Sequence, residues 1–244
     1  MLIKSRATFQ GGHYFMKFDI ITIFPDLFKG FLSESLLARA QKKGLLSIKT
    51  HDLRKWTKDR HKTVDDRPYG GGAGMILKIE PIFKAVATLR RASLAQGGRK
   101  KTTRVVLLSA KGKTFTQKNA RRLVKYDQLI FICGRYEGVD ERVAKYVADE
   151  EISIGNYILF GGEVPAMVLI EAVSRLIPGV IAKPESVKFE SFSDKEAKTK
   201  EYPQYTRPEV FELGGKKLSV PKVLLSGDHK KITQWRQKHS KLVS

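Results

Sequence analysis

A chain of 244 residues, 41% hydrophobic and 29% charged, is long enough to bury the core of one large domain or two modest ones. Its 46 Lys and Arg against 25 Asp and Glu leave a formal net charge of +21, which bears on partners rather than fold and points first to nucleic acid. A single cysteine, Cys133, excludes an intrachain disulfide framework, and the longest apolar run, Val164–Ile170, is interrupted by Pro165 and falls well short of the ~20 residues of a membrane helix.

Residues 1–15 lack a signal-peptide core. With Met16 directly before the first strand pattern, they read as a disordered extension or as a start placed too early. Lys17–Ile23 (KFDIITI) is β-branched and apolar, the pattern of a buried strand. Pro25 and Asp26 open a predicted helix that runs to Lys43, with Leu27, Phe28, Phe31, Leu32, Leu36, Leu37 and Ala40 at three-four spacing and Gly44 as its stop. Leu45–Thr50 follows as a strand, completing a βαβ pattern. His51–Gly74 is polar, then basic, then glycine-rich, and reads as a long loop of the kind that carries function or disorder. Pro81–Leu94 is a predicted helix and Gln96–Thr103 a basic connector. Arg104–Ser109 and Gln128–Cys133 are predicted strands, with a helix at Thr116–Lys125 between them. Cys133, inside an apolar run, is expected to be a buried thiol rather than a nucleophile.

Asp140 is placed to cap a helix ahead of Val143, Ala144 and Val147. Ile152–Ile177 then combines an apolar strand, glycine turns at Gly155 and Gly161-Gly162, and a helix opened by Glu163 and Pro165 that ends at Pro178-Gly179. Repeated βα units predict an α/β domain, a mostly parallel sheet with flanking helices. Lys183–Thr206 has the composition of a linker, and Arg207–Ser244 is a small basic segment whose last helix spans Asp228–His239. Trp235 on that helix is expected to pack within the segment rather than to stack on bases.

No GxxxxGK[ST], HExxH, paired CxxC or GxSxG occurs, so nucleotide-hydrolase, zinc and serine-hydrolase readings have no support, and no metal site is expected of the histidines. Three glycine-containing turns remain: Ser109–Gly112, Gly134–Gly138, and Gly155 with Gly161-Gly162. They are either ordinary tight turns or one wall of a ligand pocket; their placement after strands favours the pocket.

Four blocks carry a resemblance. Asp59–Gly72 (DRHKTVDDRPYGGG), Cys133–Arg142 (CGRYEGVDER), Ser153–Tyr157 (SIGNY) with Gly161-Gly162-Glu163, and Tyr205–Val210 (YTRPEV) closely resemble the bacterial tRNA (guanine-N1)-methyltransferase family, TrmD, in order and spacing from about Met16 to Lys238. The resemblance implies a SPOUT fold with a deep trefoil knot, plus a small helical C-terminal domain. It also implies a cytoplasmic homodimer without a membrane partner, S-adenosylmethionine as methyl donor, magnesium as a further requirement, and tRNA as partner. The target would be guanine at position 37, next to the anticodon. Residues 16–182 would then be the knotted cofactor-binding domain, 183–206 a linker and 207–244 a tRNA-binding domain.

Carried over position by position, cofactor contacts fall first on Leu107, Leu108 and Ser109, then on Gly134, Tyr136 and Glu137. They continue through Ile154, Gly155, Asn156, Tyr157, Ile158 and Leu159 to Gly161 and Pro165. Glu137 would balance the cofactor's positive charge or help to place magnesium. Methyl transfer to N1 of guanine needs a base for the departing proton. The family's Asp before a Ser-Phe pair corresponds to Glu190 here, a departure that keeps the carboxylate and adds a methylene; Asp194 and Glu201 are alternatives on the same linker. Arg175 corresponds to an arginine that steadies the target guanine, and is equally a cation suited to a helix C-terminus. Asp65, Arg67 and Arg207 would contact tRNA. Ala73 replaces the usual proline, and the chain ends sooner after Trp235 than in many members. Two other readings stand beside this one: a SPOUT methyltransferase for another RNA nucleotide, or a basic RNA-binding protein without catalysis.

Overall fold

Five parallel strands carry the first part of the molecule. They are β1 (Met16–Thr22), β2 (Leu46–Asp52), β3 (Thr103–Thr114), β4 (Gln128–Cys133) and β5 (Glu150–Ser153), in the sheet order β2-β1-β4-β3-β5. This computed structural model describes residues 9–10, 13–94, 102–183, 190–193 and 199–242, and the chain divides into two compact units, 1–182 and 183–244. The fold is α/β, as the repeated units predict. Every residue of β4 is buried, as expected for a parallel sheet covered on both faces.

Alternation along the strands sorts the core into two layers. Phe18 and Ile20 of β1, Val106 and Leu108 of β3, and Leu129 and Phe131 of β4 face one side. There they meet α1 (Ser35–Lys42), α3 (Gln117–Leu123) and α5 (Glu163–Ser174) through Leu37, Ala120, Leu123, Ala166, Leu169 and Val173. Ile21, Val105, Leu107, Ile130 and Ile132 face the other side, against α2 (Ile79–Leu94) and α4 (Glu141–Tyr146). Asp140 caps α4, its carboxylate accepting from Arg142 N–H at 2.9 Å. Asp19 is buried at the sheet centre among three donors: His51 Nε2 at 2.7 Å, Gln128 Nε2 at 2.6 Å and Lys17 Nζ at 2.9 Å. Burial pushes its carboxyl pKa up, but these hydrogen bonds outweigh it and hold the group below its ordinary value of 3.8.

Three elements depart from expectation. The helix expected over 25–43 is broken into a 3-10 turn (Pro25–Phe28), a short helical turn (Lys29–Ser33) and α1, because Glu34 is extended (ψ 161°) and Ser35 is left-handed (φ 58°). The apolar spacing runs on across the break, so periodicity does not reveal it. The expected loop 51–74 contains a 3-10 turn at Leu53–Trp56, and its Asp65–Asp66 pairs antiparallel with Ile76–Leu77. Strand β3 extends five residues beyond Ser109, with a break in register: Leu108 pairs with Ile152, and after an excursion Lys113 pairs with Ile152 again and Thr114 with Ser153.

Near the N-terminus, Phe9–Gln10 pairs with His13–Tyr14, and residues 1–8 and 11–12 lie outside the described residues. In the second unit, β6 (Val210–Leu213) and β7 (Lys216–Ser219) form a hairpin, followed by α6 (Lys222–Leu225) and α7 (His229–His239). Asp228 caps α7 by accepting from the N–H groups of Lys230 and Lys231, both at 3.1 Å. Trp235 stacks on His239 at 4.1 Å and meets Tyr205 edge-on at 6.3 Å, so it does pack within this unit.

Candidate active site

The glycine-containing excursion within β3, Ser109–Gly112, and the glycine-containing loops that follow β4 and β5 converge. Between them lies a cavity of about 350 Å3, within the range of small-molecule sites. Leu107, Leu108 and Ser109 form one wall, Gly134, Tyr136 and Glu137 a second, and Ile154, Gly155, Tyr157, Ile158 and Leu159 a third. Gly161 and Pro165, at the entry to α5, close it. Of the fourteen residues expected at the cofactor, only Asn156 does not line this cavity. The lining also includes Lys111, Glu141, Glu151 and Phe160, which motif reading passed over. Their signal was only adjacency to the glycine turns.

Backbone proximity dictates residue type here. A Cβ on Gly112 would lie 2.5 Å from Ile152 N and 2.6 Å from the Glu151 carbonyl carbon, because β3 passes directly against β5 as it rejoins it. Tyr136 holds φ at 58°, a left-handed conformation uncommon for a bulky side chain and typical of ligand-contacting turns. Its loop is tied to the antiparallel pair of strands at 65–77. Glu137 N–H donates to Met75 O at 3.1 Å, Leu77 N–H to Gly138 O at 3.0 Å, and Asp140 N–H to Leu77 O at 3.0 Å. Gly74 packs so closely on the Glu137 side chain that a Cβ there would meet it at 2.7 Å. The glycine-rich segment therefore fixes Glu137 at the cavity edge.

Charge around the cavity is mixed. Lys111 and Glu141 approach to 3.3 Å on its rim, where both are exposed. Arg135 Nε donates to buried Glu163 at 2.8 Å. Cys133, just before the second loop, is fully buried, and burial pushes its thiol pKa well above the ordinary 9.0, so it is neutral and inert, as expected. Among the described residues no group of three or more His, Cys, Asp or Glu could hold a metal ion.

The other expected residues are not among the residues that line this cavity. Arg175 immediately follows the last residue of α5. Pro165 is ten residues earlier, so the two are roughly 15 Å apart along the helix at ~1.5 Å per residue. Asp65 and Arg67 sit on and beside the short strand Asp65–Asp66, where Asp66 pairs with Lys78 at 3.4 Å. Glu190 and Arg207 belong to the second unit. Glu190 opens a turn in which its carbonyl accepts from Ser193 N–H at 3.0 Å, Phe192 N–H reaches Thr199 O at 2.6 Å, and Glu201 N–H reaches Ser191 Oγ at 3.0 Å. Of the alternative carboxylates, Glu201 is bound by Gln204. Asp194 lies outside the described residues.

Residues 16–243 match a family model described as tRNA (Guanine-1)-methyltransferase TrmD. A protein of Dictyoglomus turgidum is 52% identical over 225 residues, covering 92% of this chain and 85% of its own length. One from Carboxydothermus hydrogenoformans is 51% identical over 227 residues, with coverages of 93% and 83%. A third, from Geobacter sp., is 48% identical over 223 residues, with coverages of 91% and 84%. All three bear the name tRNA (guanine-N(1)-)-methyltransferase.

Proposed function

Because the chain belongs to the TrmD family of tRNA (guanine-1)-methyltransferases, we propose that its three-loop cavity is an S-adenosylmethionine site serving methylation of tRNA guanine 37. The enzyme is a tRNA (guanine-N1)-methyltransferase. The observation that carries the cofactor assignment is the convergence of three loops from adjacent parallel strands on one cavity of suitable size. The residues fit this group. Main chain and apolar side chains suit an adenosine, and Glu137, Glu141 and Glu151 offer carboxylates to a molecule bearing sulfonium and ammonium charges. Bound there, the cofactor supplies an electrophilic methyl group.

The protein's own task is to remove a proton and hold geometry. Glu190 is the proposed base, accepting the N1 proton of guanine as the nitrogen becomes nucleophilic. The backbone hydrogen bonds around Ser191, Phe192 and Ser193 shape the turn that presents it. Orientation of nitrogen, methyl and sulfur supplies most of the rest. No step is assigned to magnesium, for which the described residues offer no cluster of ligands.

Partner surfaces follow the same reading. Ile158 and Phe160 are 84% and 93% exposed beside the cavity, and Val164 and Val168, four apart on α5, continue the apolar strip. A homodimer that covers this strip also gives Arg175, a helix length from its own cavity, a route to the guanine bound to the other subunit. For tRNA, the exposed cations Lys55, Lys58, Arg60 and Lys62 precede the segment of Asp65 and Arg67, and Arg207 adds a contact from the second unit. No helix among the described residues is long and apolar enough to cross a membrane, and a tRNA substrate suits the cytoplasm.

Calorimetric titration with S-adenosylhomocysteine tests the site. Saturable one-to-one binding, lost when Gly155→Trp fills the third wall, supports it; unaltered binding to that variant places the cofactor elsewhere.

A further inference from the structure

Glu163 opens α5 and is 1% exposed, a rare setting for a carboxylate unless it is paired. Both oxygens are engaged. Thr22 Oγ1 donates to Oε1 at 2.7 Å, and Arg135 Nε donates to Oε2 at 2.8 Å. Thr22 Oγ1 in turn accepts from Phe24 N–H at 2.9 Å, and the Arg135 guanidinium lies over the Phe24 ring at 4.7 Å. Arg135 also bridges by its backbone to Gly138 and Gly161, and Gly162 N–H donates to Gly134 O at 2.9 Å. A partly buried ion pair and the threonine hydrogen bond beside it thus join three distant stretches: the end of β1, the loop after β4 and the entry to α5. Arg135 lines the cavity, whereas Thr22 and Glu163 are not among its lining residues.

We propose that Thr22, Arg135 and Glu163 are positioning residues that set the spacing of two cavity walls, loops 134–138 and 154–162, and so the affinity for the cofactor. This rests on the S-adenosylmethionine reading of the cavity. Glu163 is not placed to act as a base, since both its oxygens are already bound and it is not among the residues that line the cavity. Removing its charge leaves the Arg135 guanidinium in a poorly solvated place without its partner, and the loop must shift to rehydrate it. The shift is felt in binding: the KM for S-adenosylmethionine rises, while kcat at saturating cofactor and the KM for tRNA stay close to wild type.

The test uses the full-length protein, titration with S-adenosylhomocysteine, and steady-state kinetics. Glu163→Gln weakens binding on the order of ten- to a hundredfold, as expected for displaced walls. Thr22→Val, nearly isosteric, removes the hydrogen bond to Glu163 and the one accepted from Phe24 N–H, weakens binding about threefold and keeps the test alive if Glu163→Gln does not fold. Arg135→Lys retains more affinity than Arg135→Met, because charge pairing is kept. Asp19→Asn disturbs a separate buried carboxylate, on the strand that carries Thr22, and serves as the stability control: its melting temperature falls while its affinity stays at wild type. Wild-type affinity in both Glu163→Gln and Thr22→Val overturns the proposal, as does an equal loss in Asp19→Asn, which would mean general loosening. A wild-type protein that does not bind S-adenosylhomocysteine overturns the cofactor reading itself, and the positioning role with it.

Discussion

The two units of this chain are held together differently. Residues 16–182 contain every buried side chain described, in two apolar layers around a parallel sheet. In 183–244 no described residue is buried, and Val210, Phe211, Leu213 and Leu218 of its hairpin are all 45–61% exposed. The second unit is held by backbone pairing and surface contacts instead: Thr199–Lys200 pairs antiparallel with Lys241–Leu242, Asp228 caps α7, Trp235 stacks on His239, and Arg236 lies over Tyr202 at 4.9 Å. A cavity of fixed dimensions needs the first kind of construction. A surface completed by its partner suits the second. Charge does not follow this division: residues 183–244 carry fourteen Lys and Arg against eight Asp and Glu, a net of +6, leaving +15 of the total +21 on residues 1–182. Nucleic-acid attraction is therefore expected of both units.

The sharpest way to separate them is Glu190→Gln. Transfer should fall roughly 100- to 10,000-fold, the span of general-base contributions, with S-adenosylhomocysteine affinity unchanged. A parallel loss of cofactor binding would break the division of labour. Next in size, Leu169→Ala in the core should cost about 2–5 kcal/mol in denaturant unfolding. Trp235→Ala should leave that main transition in place, because the ring contacts described for it, to Tyr205 and His239, belong to the second unit; a comparable loss would mean the units share one cooperative core.

Gly112→Ala should cost about 1–3 kcal/mol, since a methyl group there overlaps the β5 backbone. Acid unfolding reports on Asp19, whose carboxyl lies below its ordinary 3.8 in the folded state. Its contribution is complete above that value and is lost as pH falls through the lower folded value, so Asp19→Asn should flatten the pH dependence of the melting temperature below about pH 4. The smallest effect is electrostatic. Replacing Lys58 and Lys62 with Ala should reduce the slope of log affinity for tRNA against log salt by roughly 0.7–0.9 per charge, and an unaltered slope would confine binding to other surfaces.

Much of the fold was legible in the sequence. Apolar β-branched runs locate β1 and β4 within a residue, Asp140 marks the start of α4, and the glycine turns after strands mark the cavity. The break at Glu34 was hidden because the apolar period continues through it. The return of β3 to β5 was hidden because Ala110–Thr114 is polar and has no strand pattern of its own. The Thr22–Glu163 hydrogen bond spans 141 positions, a pairing that local patterns do not encode. Composition and spacing reach a pocket and a basic surface; the donor, the nucleotide and the knot enter only through resemblance to relatives.

The proposed function has this cavity deliver a methyl group to one nucleotide of tRNA. The most direct measurement is labelled methyl incorporation from S-adenosylmethionine into two tRNA transcripts that differ only at position 37, guanine or adenine, with S-adenosylhomocysteine as competitor. The expected result is one methyl per guanine-37 transcript, none on the adenine-37 transcript, and inhibition that S-adenosylmethionine relieves. Equal incorporation into both transcripts, or binding of tRNA and cofactor with no transfer to either, would contradict it.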